Sequence, residues 1–500
     1  MSGALLALSF PKFGHPAAGW VALAPLLVTL PGLRPRRAFT LGFLTGAVYF
    51  WGTLYWLVAV MTTFGGLNTA AAAGSATLLI IYLSLYPGLF ALAVAWLCSR
   101  LGLRALAFVP ALWVTTELGR MYVWSGFPWA LLGYSQATVL PVAQLASIVG
   151  VFGMSFLVAS VSAALTYAWI QRRAMPLAAT AAAVLAIAAW GAWRMSTNTL
   201  IREGDRIRVA VLQANIEQED KWNPALSDAI FDRYLTMSRR ALADRAEFVI
   251  WPESSTPFYF ENDPRGAEIR LLAQQSRSPF LIGSDQIEPV PMTQTVSGTG
   301  AGRAEHRIYN AAFLVGTDGT TSGAYRKIHL VPFGEYVPLK RLLFFVGPLV
   351  EAVSDFSPGD TASTLPVAGR TASVAICYEV IYPSLIRSFV TAGSELLTTI
   401  TNDAWYGRSS AAYQHWEQAT LRSIEEGRYL ARAANTGISG FVDPYGRILA
   451  ASPLFEQAVL VADLRFIRKR TIYSRTGDLV AWLSLLGSVF GILYSKIRKQ

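Results

Sequence analysis

The run Ile207-Arg-Val-Ala-Val-Leu-Gln-Ala-Asn215 is rich in β-branched and apolar residues, as is typical of a buried strand. Residues 225–244 follow it with apolar side chains at three- and four-residue spacing, which predicts a helix. Further strands are predicted at 248–251, 280–283, 308–316, 371–376 and 395–401, further helices at 265–277 and 411–433, and a loop at 287–306. Strands that alternate with helices, some of them apolar throughout, predict an α/β domain at 207–466 with its sheets covered by helices.

The first 200 residues have a different composition. They contain ten Lys or Arg residues but a single acidic residue, Glu117, and long apolar runs make up most of the rest. About 20 apolar residues are needed to cross roughly 30 Å of bilayer hydrocarbon. The sequence therefore predicts a polytopic α-helical membrane protein with about eight spans, seven in a membrane domain at 1–200 and one in a C-terminal helix at 478–496. The predicted spans lie near 2–11, 16–32, 39–62, 70–98, 104–121, 141–170, 175–196 and 479–495.

The orientation of the predicted spans follows from the basic residues in their short loops. These residues fall mostly on one side, at Arg34, Arg36, Arg37, Arg100, Arg104, Arg172, Arg173, Lys496, Arg498 and Lys499. The positive-inside rule then places both termini in the cytoplasm and the α/β domain on the other side. A signal peptide is the alternative to a first span near 2–11. Because Lys12 follows this stretch and no clear cleavage site appears, a short first helix is favoured.

Two features near the predicted membrane have two interpretations each. The basic cluster from Arg465 to Arg475 lies just before the last span, and either contacts anionic lipid head groups or forms a solvated linker. The stretch Gly126-Phe-Pro-Trp129 interrupts a membrane run. It either shapes a lipid-entry cleft or belongs to an interfacial aromatic belt.

The overall composition excludes several classes of protein. Apolar residues make up 53% of the chain and charged residues 15%, which excludes a disordered protein. The net charge of +10 belongs mainly to the apolar part, so it indicates membrane topology and not nucleic-acid binding. Two cysteines in very different contexts, Cys98 and Cys377, exclude a disulfide scaffold. No HExxH or paired Cys/His pattern appears, so we expect neither a metal nor another cofactor.

Three polar residues of the α/β domain lie where site residues are usually found, at or beside the ends of strands. Glu253 follows the apolar run Phe248–Trp251, and Cys377 follows the strand that ends at Ile376. Lys327 precedes the turn around Glu335. Each has a structural alternative. Glu253 could be an acid at a helix N-terminus, Cys377 a small buried apolar residue and Lys327 an ordinary surface lysine. The chain has seven Lys against 35 Arg, so a lysine here suggests a compact charge beside a reacting atom.

Together the three residues form a coherent chemical set. A thiol needs a base or a nearby cation to act as a nucleophile at neutral pH. Glu253 would take and return the proton, while Lys327 and the backbone N–H of Tyr378 would stabilise an oxyanion. A Cys-His protease would instead need His329 or His415 beside Cys377. Each of the four histidines, His15, His306, His329 and His415, is expected to be structural or exposed.

The motifs around these residues resemble a known family. Pro252-Glu253, the segment of Lys327 and Ala375-Ile-Cys-Tyr-Glu379, in this order, resemble the Glu-Lys-Cys triad of the nitrilase (carbon–nitrogen hydrolase) superfamily over about 207–466. Together with the multispan block, three further motifs extend the resemblance to the bacterial apolipoprotein N-acyltransferases over almost all 500 residues. These motifs are Ser125-Gly-Phe-Pro-Trp129, Val331-Pro-Phe-Gly-Glu-Tyr-Val-Pro338 and Thr401-Asn-Asp-Ala-Trp-Tyr-Gly407.

The resemblance implies a nitrilase-like αββα sandwich and an acyltransferase that works as a monomer. It implies transfer of a fatty acyl chain from a phospholipid, typically phosphatidylethanolamine, to the N-terminal amine of a diacylglyceryl-cysteine lipoprotein through a Cys thioester. It also implies a bacterial inner membrane with the catalytic domain in the periplasm. By this resemblance Cys377 is the nucleophile, Glu253 the general base and Lys327 the oxyanion stabiliser. The implied supporting or lipid-handling residues are Glu335, Tyr378, Glu379 and Trp222.

Two other functions remain open from the sequence. One is a membrane-tethered carbon–nitrogen hydrolase, an amidase that uses the same triad with water as the acceptor. The other is a non-enzymatic transporter or receptor, which is disfavoured because the spans contain essentially no paired ionisable residues. The apolar stretch 341–346 is either a lipid-facing lid or a core segment.

Overall fold

The computed structural model shows a helical block followed by a domain of two β-sheets and a last helix. It describes residues 1–124, 126–289, 306–332, 334–336 and 356–497. The helices of the block are α1 (Ser2–Ala7), α2 (Pro16–Val21), α3 (Ala24–Thr29), α4 (Pro35–Leu54), α5 (Trp56–Thr63), α6 (Thr69–Leu101), α7 (Val109–Tyr122), α8 (Leu140–Ala143), α9 (Ala146–Gln171) and α10 (Met175–Thr197). Short 3₁₀ helices lie at Gly102–Phe108, Leu132–Gln136 and Leu200–Arg202.

Close helix packing organises the block around α4 and α6. Gly42 and Gly46 of α4 lie directly against Pro87 and Ser84 of α6, where a Cβ atom at either glycine would overlap with its neighbours. Small residues of this kind let two helix backbones approach each other closely in an apolar environment. The side chain of Asn68 accepts a hydrogen bond from the backbone N–H of Ala71 and caps the start of α6.

Part of the predicted set of membrane spans is present in the structure. In the described part of the chain, four helical stretches are long and apolar enough to cross a membrane: Thr69–Tyr122, Ala146–Gln171, Met175–Arg202 and Leu479–Ile497. The pair α4 and α5, bent by 53°, makes a fifth if it counts as one span. The number of eight spans therefore stays a prediction.

The first two predicted spans, 2–11 and 16–32, differ most from the structure. Each contains helices of only six residues, about 9 Å long at 1.5 Å per residue. Pro25 explains the interruption in the second one, since proline has no N–H to continue a helix and instead occupies the first turn of α3.

The α/β domain contains twelve described strands in two six-stranded sheets. The strands are β1 (Arg206–Gln213), β2 (Phe248–Ile250), β3 (Phe280–Pro289), β4 (His306–Val315), β5 (Thr321–Arg326), β6 (Leu365–Val367), β7 (Arg370–Ile376), β8 (Leu396–Thr401), β9 (Leu430–Ala434), β10 (Gly440–Val442), β11 (Ile448–Ala451) and β12 (Ala458–Arg465). The strand orders are β12-β1-β2-β3-β4-β5 and β11-β10-β9-β8-β7-β6. The later helices are α11 (Ser227–Ala243), α12 (Gly266–Ser276), α13 (Pro383–Thr391), α14 (Ala411–Glu426), α15 (Ile472–Thr476) and α16 (Leu479–Ile497).

The alternation of side chains along β1 shows how the layers stack. Val209 and Val211 belong to the core between the two sheets, while Ala210 and Leu212 belong to a second core beneath α11 and α12. Helices α13 and α14 contact the other sheet at β7 and β9. The predicted two-sheet sandwich covered by helices is therefore confirmed.

The parallel strands bring distant parts of the chain to common edges. Strands β1, β2 and β3 run parallel, and so do β7, β8 and β9. Glu253 lies just after β2 and Cys377 just after β7, at the carboxyl ends of their strands. Lys327 follows β5, and its backbone N–H donates to the carbonyl of Asn310 on β4 at 2.9 Å. Strand ends of both sheets therefore carry the three residues that the sequence predicted for the site, Glu253 and Lys327 on one sheet and Cys377 on the other.

Two predicted segments end differently in the structure. The helix predicted at 411–433 is wrong at its end, because α14 stops at Glu426 and the chain continues as β9. Gly427 has a φ of +64°, a left-handed conformation that ends the helix. The loop predicted at 287–306 is partly strand, because β3 reaches Pro289 and β4 begins at His306. Residues 290–305 lie outside the described part of the chain.

The basic segment before α16 is partly paired with acidic side chains. Arg468 lies 2.7 Å from Glu395, and Lys469 lies 3.6 Å from Glu203. Both basic side chains remain exposed, so lipid contact and a solvated linker both stay open for this segment.

Gly427→Ala is expected to lower the thermal unfolding midpoint of the protein more than Gly369→Ala does. Both glycines have positive φ, so both substitutions strain the backbone. A Cβ at Gly427 would additionally lie 2.8 Å from Thr471 Cγ2, whereas no atom lies within 4 Å of a Cβ at Gly369. Thermal unfolding of the two purified variants in the same detergent measures the difference. Equal midpoints would contradict the tight contact beside Thr471.

Candidate active site

Cys377 occupies a constrained turn at the end of β7. It is 6% exposed and begins a short 3₁₀ helix, Cys377–Ile381. Its φ of +52° is left-handed, a conformation that costs a non-glycine residue about 1–3 kcal/mol. Surrounding contacts must therefore hold this turn in place.

The buried carboxylate of Glu379 supplies several of those contacts. It accepts hydrogen bonds from the N–H of Ile376 at 2.7 Å, from the N–H of Ile328 at 2.6 Å and from the hydroxyl of Tyr325 at 2.7 Å. Burial, which outweighs these hydrogen bonds, raises the pKa of Glu379 to about 7. Glu379 thus fastens the Cys377 turn to the segment that carries Lys327.

Lys327 lies between two carboxylates. Its Nζ atom is 3.4 Å from Glu253 Oε1 and 2.8 Å from Glu335 Oε1, and its side chain is 1% exposed. The amide of Asn310 donates to the same two oxygens, at 2.7 Å and 2.9 Å. The backbone N–H of Asn402 donates to the other oxygen of Glu253 at 2.7 Å. One ammonium group and one amide therefore hold both acids in fixed positions.

These contacts set the charge of the base candidate. Burial by itself would raise the pKa of Glu253, but Lys327, the amide of Asn310 and Lys221 outweigh it and hold this pKa below its ordinary value. Burial likewise opposes the charge of Lys327, yet Glu335 and Glu253 raise the pKa of this lysine. Glu253 is therefore ionised and Lys327 protonated at neutral pH.

The thiol of Cys377, unlike the carboxyl group of Glu253, keeps its proton at neutral pH. Burial, followed by the charge of Glu253, raises the pKa of Cys377 well above its ordinary value, although Lys327 acts in the other direction. A thiol with such a pKa is protonated at neutral pH and cannot attack until its proton is removed. The site therefore combines a protonated thiol with an ionised carboxylate, the arrangement that general-base catalysis needs.

The structure gives different surroundings to Trp222 and to its neighbour Lys221, which the sequence analysis did not name. Trp222, a predicted supporting residue, is 48% exposed. Its neighbour Lys221 is buried, and its Nζ atom donates to the backbone carbonyl of Glu253 at 3.2 Å. The rarity of lysine in this chain could have drawn attention to Lys221 as it did to Lys327.

Asn310 is a second residue that the sequence reasoning missed. It lies in the predicted strand 308–316, where it interrupts an otherwise apolar run. A polar side chain inside a buried strand needs a hydrogen-bond partner, and that requirement is the signal that could have revealed it. Its partners, Glu253 and Glu335, come from other segments, so the local sequence could not identify them.

The helical block contacts the Cys377 turn directly. Phe127 packs near Tyr378 with ring centroids 6.4 Å apart, and the Trp129 indole donates to Gln414 Oε1 at 2.7 Å. Trp129 is 1% exposed, so its assignment to an interfacial aromatic belt is wrong. Residues 126–129 instead join the block to the two-sheet domain. The predicted lid at 341–346 lies outside the described residues.

The two histidines named as alternatives contact groups other than the thiol of Cys377. The ring of His329 stacks on Tyr382 with centroids 4.2 Å apart. The buried ring of His415 faces the backbone carbonyl of Cys377. Over the residues that the structure describes, no group of three or more His, Cys, Asp or Glu side chains is placed to hold a metal ion.

The chain is similar to known proteins along nearly all its length. Residues 2–164 match the family model of the apolipoprotein N-acyltransferase N-terminal domain, and residues 208–470 match that of the carbon-nitrogen hydrolases. An apolipoprotein N-acyltransferase of Geobacter metallireducens is 39% identical over 499 residues, 98% of this chain and 92% of the relative. That of Methylococcus capsulatus is 33% identical over 508 residues, 100% of this chain and 95% of the relative.

A solved structure of the nitrilase superfamily matches about half of the chain. Nit3 of Saccharomyces cerevisiae, a member of branch 10 of the nitrilase superfamily, has a TM-score of 0.39 at 20% identity. The match covers 52% of this chain and 90% of that one.

Asn310→Ala is expected to move the acid limb of the pH–rate profile for Cys377 modification to higher pH. The lost amide stabilises the ionised form of Glu253, so its removal raises the pKa of this acid. Initial rates of thiol acylation by an activated ester between pH 4 and 8 measure the shift. Asn262→Ala, at an exposed position, is the control. An unshifted limb in Asn310→Ala would contradict the assignment of this limb to Glu253.

Proposed function

Because the chain belongs to the apolipoprotein N-acyltransferase family, whose catalytic domain is a carbon–nitrogen hydrolase domain, we propose that it forms an acyl thioester on Cys377. Its reaction class, N-acylation of apolipoproteins, follows from that membership. In our proposal the acyl donor is a phospholipid, such as phosphatidylethanolamine, and the acceptor is the N-terminal amine of a diacylglyceryl-cysteine lipoprotein. The observation that carries the proposed mechanism is the Lys327 ammonium held between Glu253 and Glu335 beside a protonated thiol.

The first half of the proposed cycle transfers the acyl group from the phospholipid to the sulfur of Cys377. Cys377 Sγ attacks the ester carbonyl carbon while Glu253 takes the thiol proton. Lys327 and the N–H of Tyr378 stabilise the negative oxygen of the tetrahedral intermediate. The intermediate collapses by breaking the bond between the carbon and the ester oxygen, and Glu253 returns the proton to that oxygen. Lysophospholipid leaves and the acyl group remains on sulfur.

The second half of the proposed cycle transfers the acyl group from Cys377 to the lipoprotein. The neutral N-terminal amine attacks the thioester carbon, and Glu253 accepts a proton from the nitrogen. Breaking of the carbon–sulfur bond then releases the amide, and the sulfur recovers the proton from Glu253. Glu335 and Asn310 keep Lys327 and Glu253 in place during both halves.

The location of the site suits two lipid substrates. Each buried CH₂ group is worth about 0.8 kcal/mol, so withdrawing a whole acyl chain into water is prohibitive. The domain follows α10 and precedes α16, two helices that are apolar and long enough to span a bilayer. Contacts of Phe127 and Trp129 also place the helical block beside the Cys377 turn. The thiol can therefore meet the ester at the membrane surface.

The proposed topology follows the distribution of charge. About eight spans, seven within 1–200 and one at 478–496, would leave both termini in the cytoplasm and the domain at 207–466 in the periplasm of an inner-membrane protein. The excess of Arg in alternate short loops supports this orientation. We propose that one chain acts alone, since the catalytic set Glu253, Lys327 and Cys377 comes from a single copy.

The amidase alternative shares the thioester but ends with water as the acceptor. Full-length similarity to acyltransferases, together with contact between the helical block and the site, favours the amine acceptor. A thioester that waits for its second substrate must also be shielded from water, and the burial of Cys377 is consistent with that need.

Wild-type protein in lipid nanodiscs with acyl-labelled phosphatidylethanolamine is expected to acquire one acyl mass that neutral hydroxylamine removes. Cys377→Ala should lack this mass, whereas Cys98→Ala, which changes the other buried cysteine, should retain it. A diacylglyceryl-cysteine peptide with a free amine should discharge the label as an amide, detected by mass spectrometry. Label released only as fatty acid would support the amidase. No Cys377-dependent label would contradict the thioester.

Lys327→Arg is expected to slow thioester formation by about 10²-fold or more, the typical loss for one oxyanion donor. A planar guanidinium does not fit the compact position between two carboxylates. Lys469→Arg, at an exposed lysine, should leave the rate unchanged. Single-turnover acylation with the labelled phospholipid measures both variants. An unaffected Lys327→Arg variant would show that any cation suffices at this position.

A further inference from the structure

A second buried polar cluster, made of Asp403, His415 and Arg432, adjoins the Cys377 turn. All three side chains are withdrawn from solvent. His415 Nδ1 lies 3.0 Å from Asp403 Oδ1 and 2.9 Å from Arg432 Nη2, and Arg432 Nη2 also lies 2.9 Å from Asp403 Oδ2. The catalytic steps described above do not use any of these groups, so the cluster needs an explanation of its own.

The other ring nitrogen of His415 contacts the backbone of the nucleophile. His415 Nε2 lies 3.2 Å from the carbonyl oxygen of Cys377. A carbonyl oxygen can only accept a hydrogen bond, so Nε2 carries a proton and donates it. Burial, followed by the charge of Arg432, lowers the pKa of His415, so the imidazole stays neutral at physiological pH. It is therefore a fixed donor and not a rival acid or base.

The peptide bond after Cys377 connects this contact to the chemistry. The carbonyl of Cys377 and the N–H of Tyr378 belong to one planar trans peptide and point in opposite directions. A donor that holds the carbonyl oxygen on one side therefore aims the Tyr378 N–H towards the other. A hydrogen bond to the carbonyl also polarises the N–H of the same peptide. In the proposed function this N–H stabilises the oxyanion.

We propose that His415 is a positioning residue for acyl transfer, which holds the Cys377 carbonyl so that the Tyr378 N–H points at the oxyanion. This inference rests on the proposed function. In this tautomer Nδ1 accepts a hydrogen bond from Arg432, which Asp403 in turn holds in place at 2.9 Å, while Nε2 donates to the Cys377 carbonyl. The left-handed backbone of Cys377 makes such support necessary, because a strained turn does not keep its orientation without it.

The helical block completes the support. The indole of Trp129 stacks on the His415 ring with centroids 5.8 Å apart and planes at 29°, and it donates to the neighbouring Gln414. The carbonyl of Trp129 in turn accepts a hydrogen bond from Arg120 of α7 at 3.1 Å. The orientation of the oxyanion donor therefore depends on packing between the two parts of the protein.

Two reactions of Cys377 test this role in the full-length protein. Acylation by labelled phosphatidylethanolamine passes through an oxyanion, whereas alkylation by iodoacetamide does not. His415→Phe keeps an aromatic ring beside Trp129 but removes the donor. It is expected to slow acylation by about 10²–10³-fold, as for loss of one oxyanion donor, and to change alkylation by less than about threefold. His415→Gln, which can donate from a similar position, should recover at least about tenfold of the lost acylation rate.

A role that is merely structural would give a different pattern. Equal slowing of acylation and alkylation, or no slowing of acylation, would overturn the inference. If His415→Phe does not fold, His415→Met fills the space with a flexible side chain that lacks a donor, and the same difference between the two reactions is expected. The wild type separates the two proposals, since a wild type without a thioester contradicts the proposed function. A wild type that is acylated as fast as His415→Phe contradicts only the role of His415.

Discussion

The candidate active site depends on one buried ammonium group, that of Lys327, between two carboxylates. Lys327 and Glu253 are buried, and the side chain of Glu335 is only 12% exposed. An isolated charge removed from water in this way would cost several kcal/mol. Each charge is tolerable because the other two are present and because Asn310 bonds to both acids. The cluster therefore forms only when strands from distant parts of the chain are assembled. It also gives the thiol an ionised base and a nearby cation at the same time.

The strained turn at Cys377 is held by contacts on both sides of this residue. Glu379 accepts the N–H of Ile376 before Cys377, and His415 donates to the carbonyl of Cys377 itself. Because Glu379 also accepts the N–H of Ile328, it joins the Cys377 turn to the segment that carries Lys327.

The helical block and the two-sheet domain form one packed unit in the described part of the chain. A single apolar core includes residues of both. Polar contacts cross the same junction, for example from the N–H of Val151 to Glu425 at 2.8 Å and from Arg422 to the hydroxyl of Tyr134 at 2.8 Å. A domain fixed in this way can keep its thiol at a constant depth relative to the apolar helices. Such a position suits a reaction whose substrates stay in the bilayer.

The sequence by itself determined the alternation of strands and helices, the apolar N-terminal block and the strand ends at which Glu253, Lys327 and Cys377 lie. These features are local, since periodicity and a polar residue after an apolar run can be read within a few positions. The tertiary structure decided that Asn310 contacts Glu253, that His415 contacts the Cys377 carbonyl and that Trp222 is half exposed. Strand periodicity shows which face of a sheet a side chain occupies, but not which distant residue lies opposite. Those partners exist only after long-range packing has brought the two sheets and the helices together.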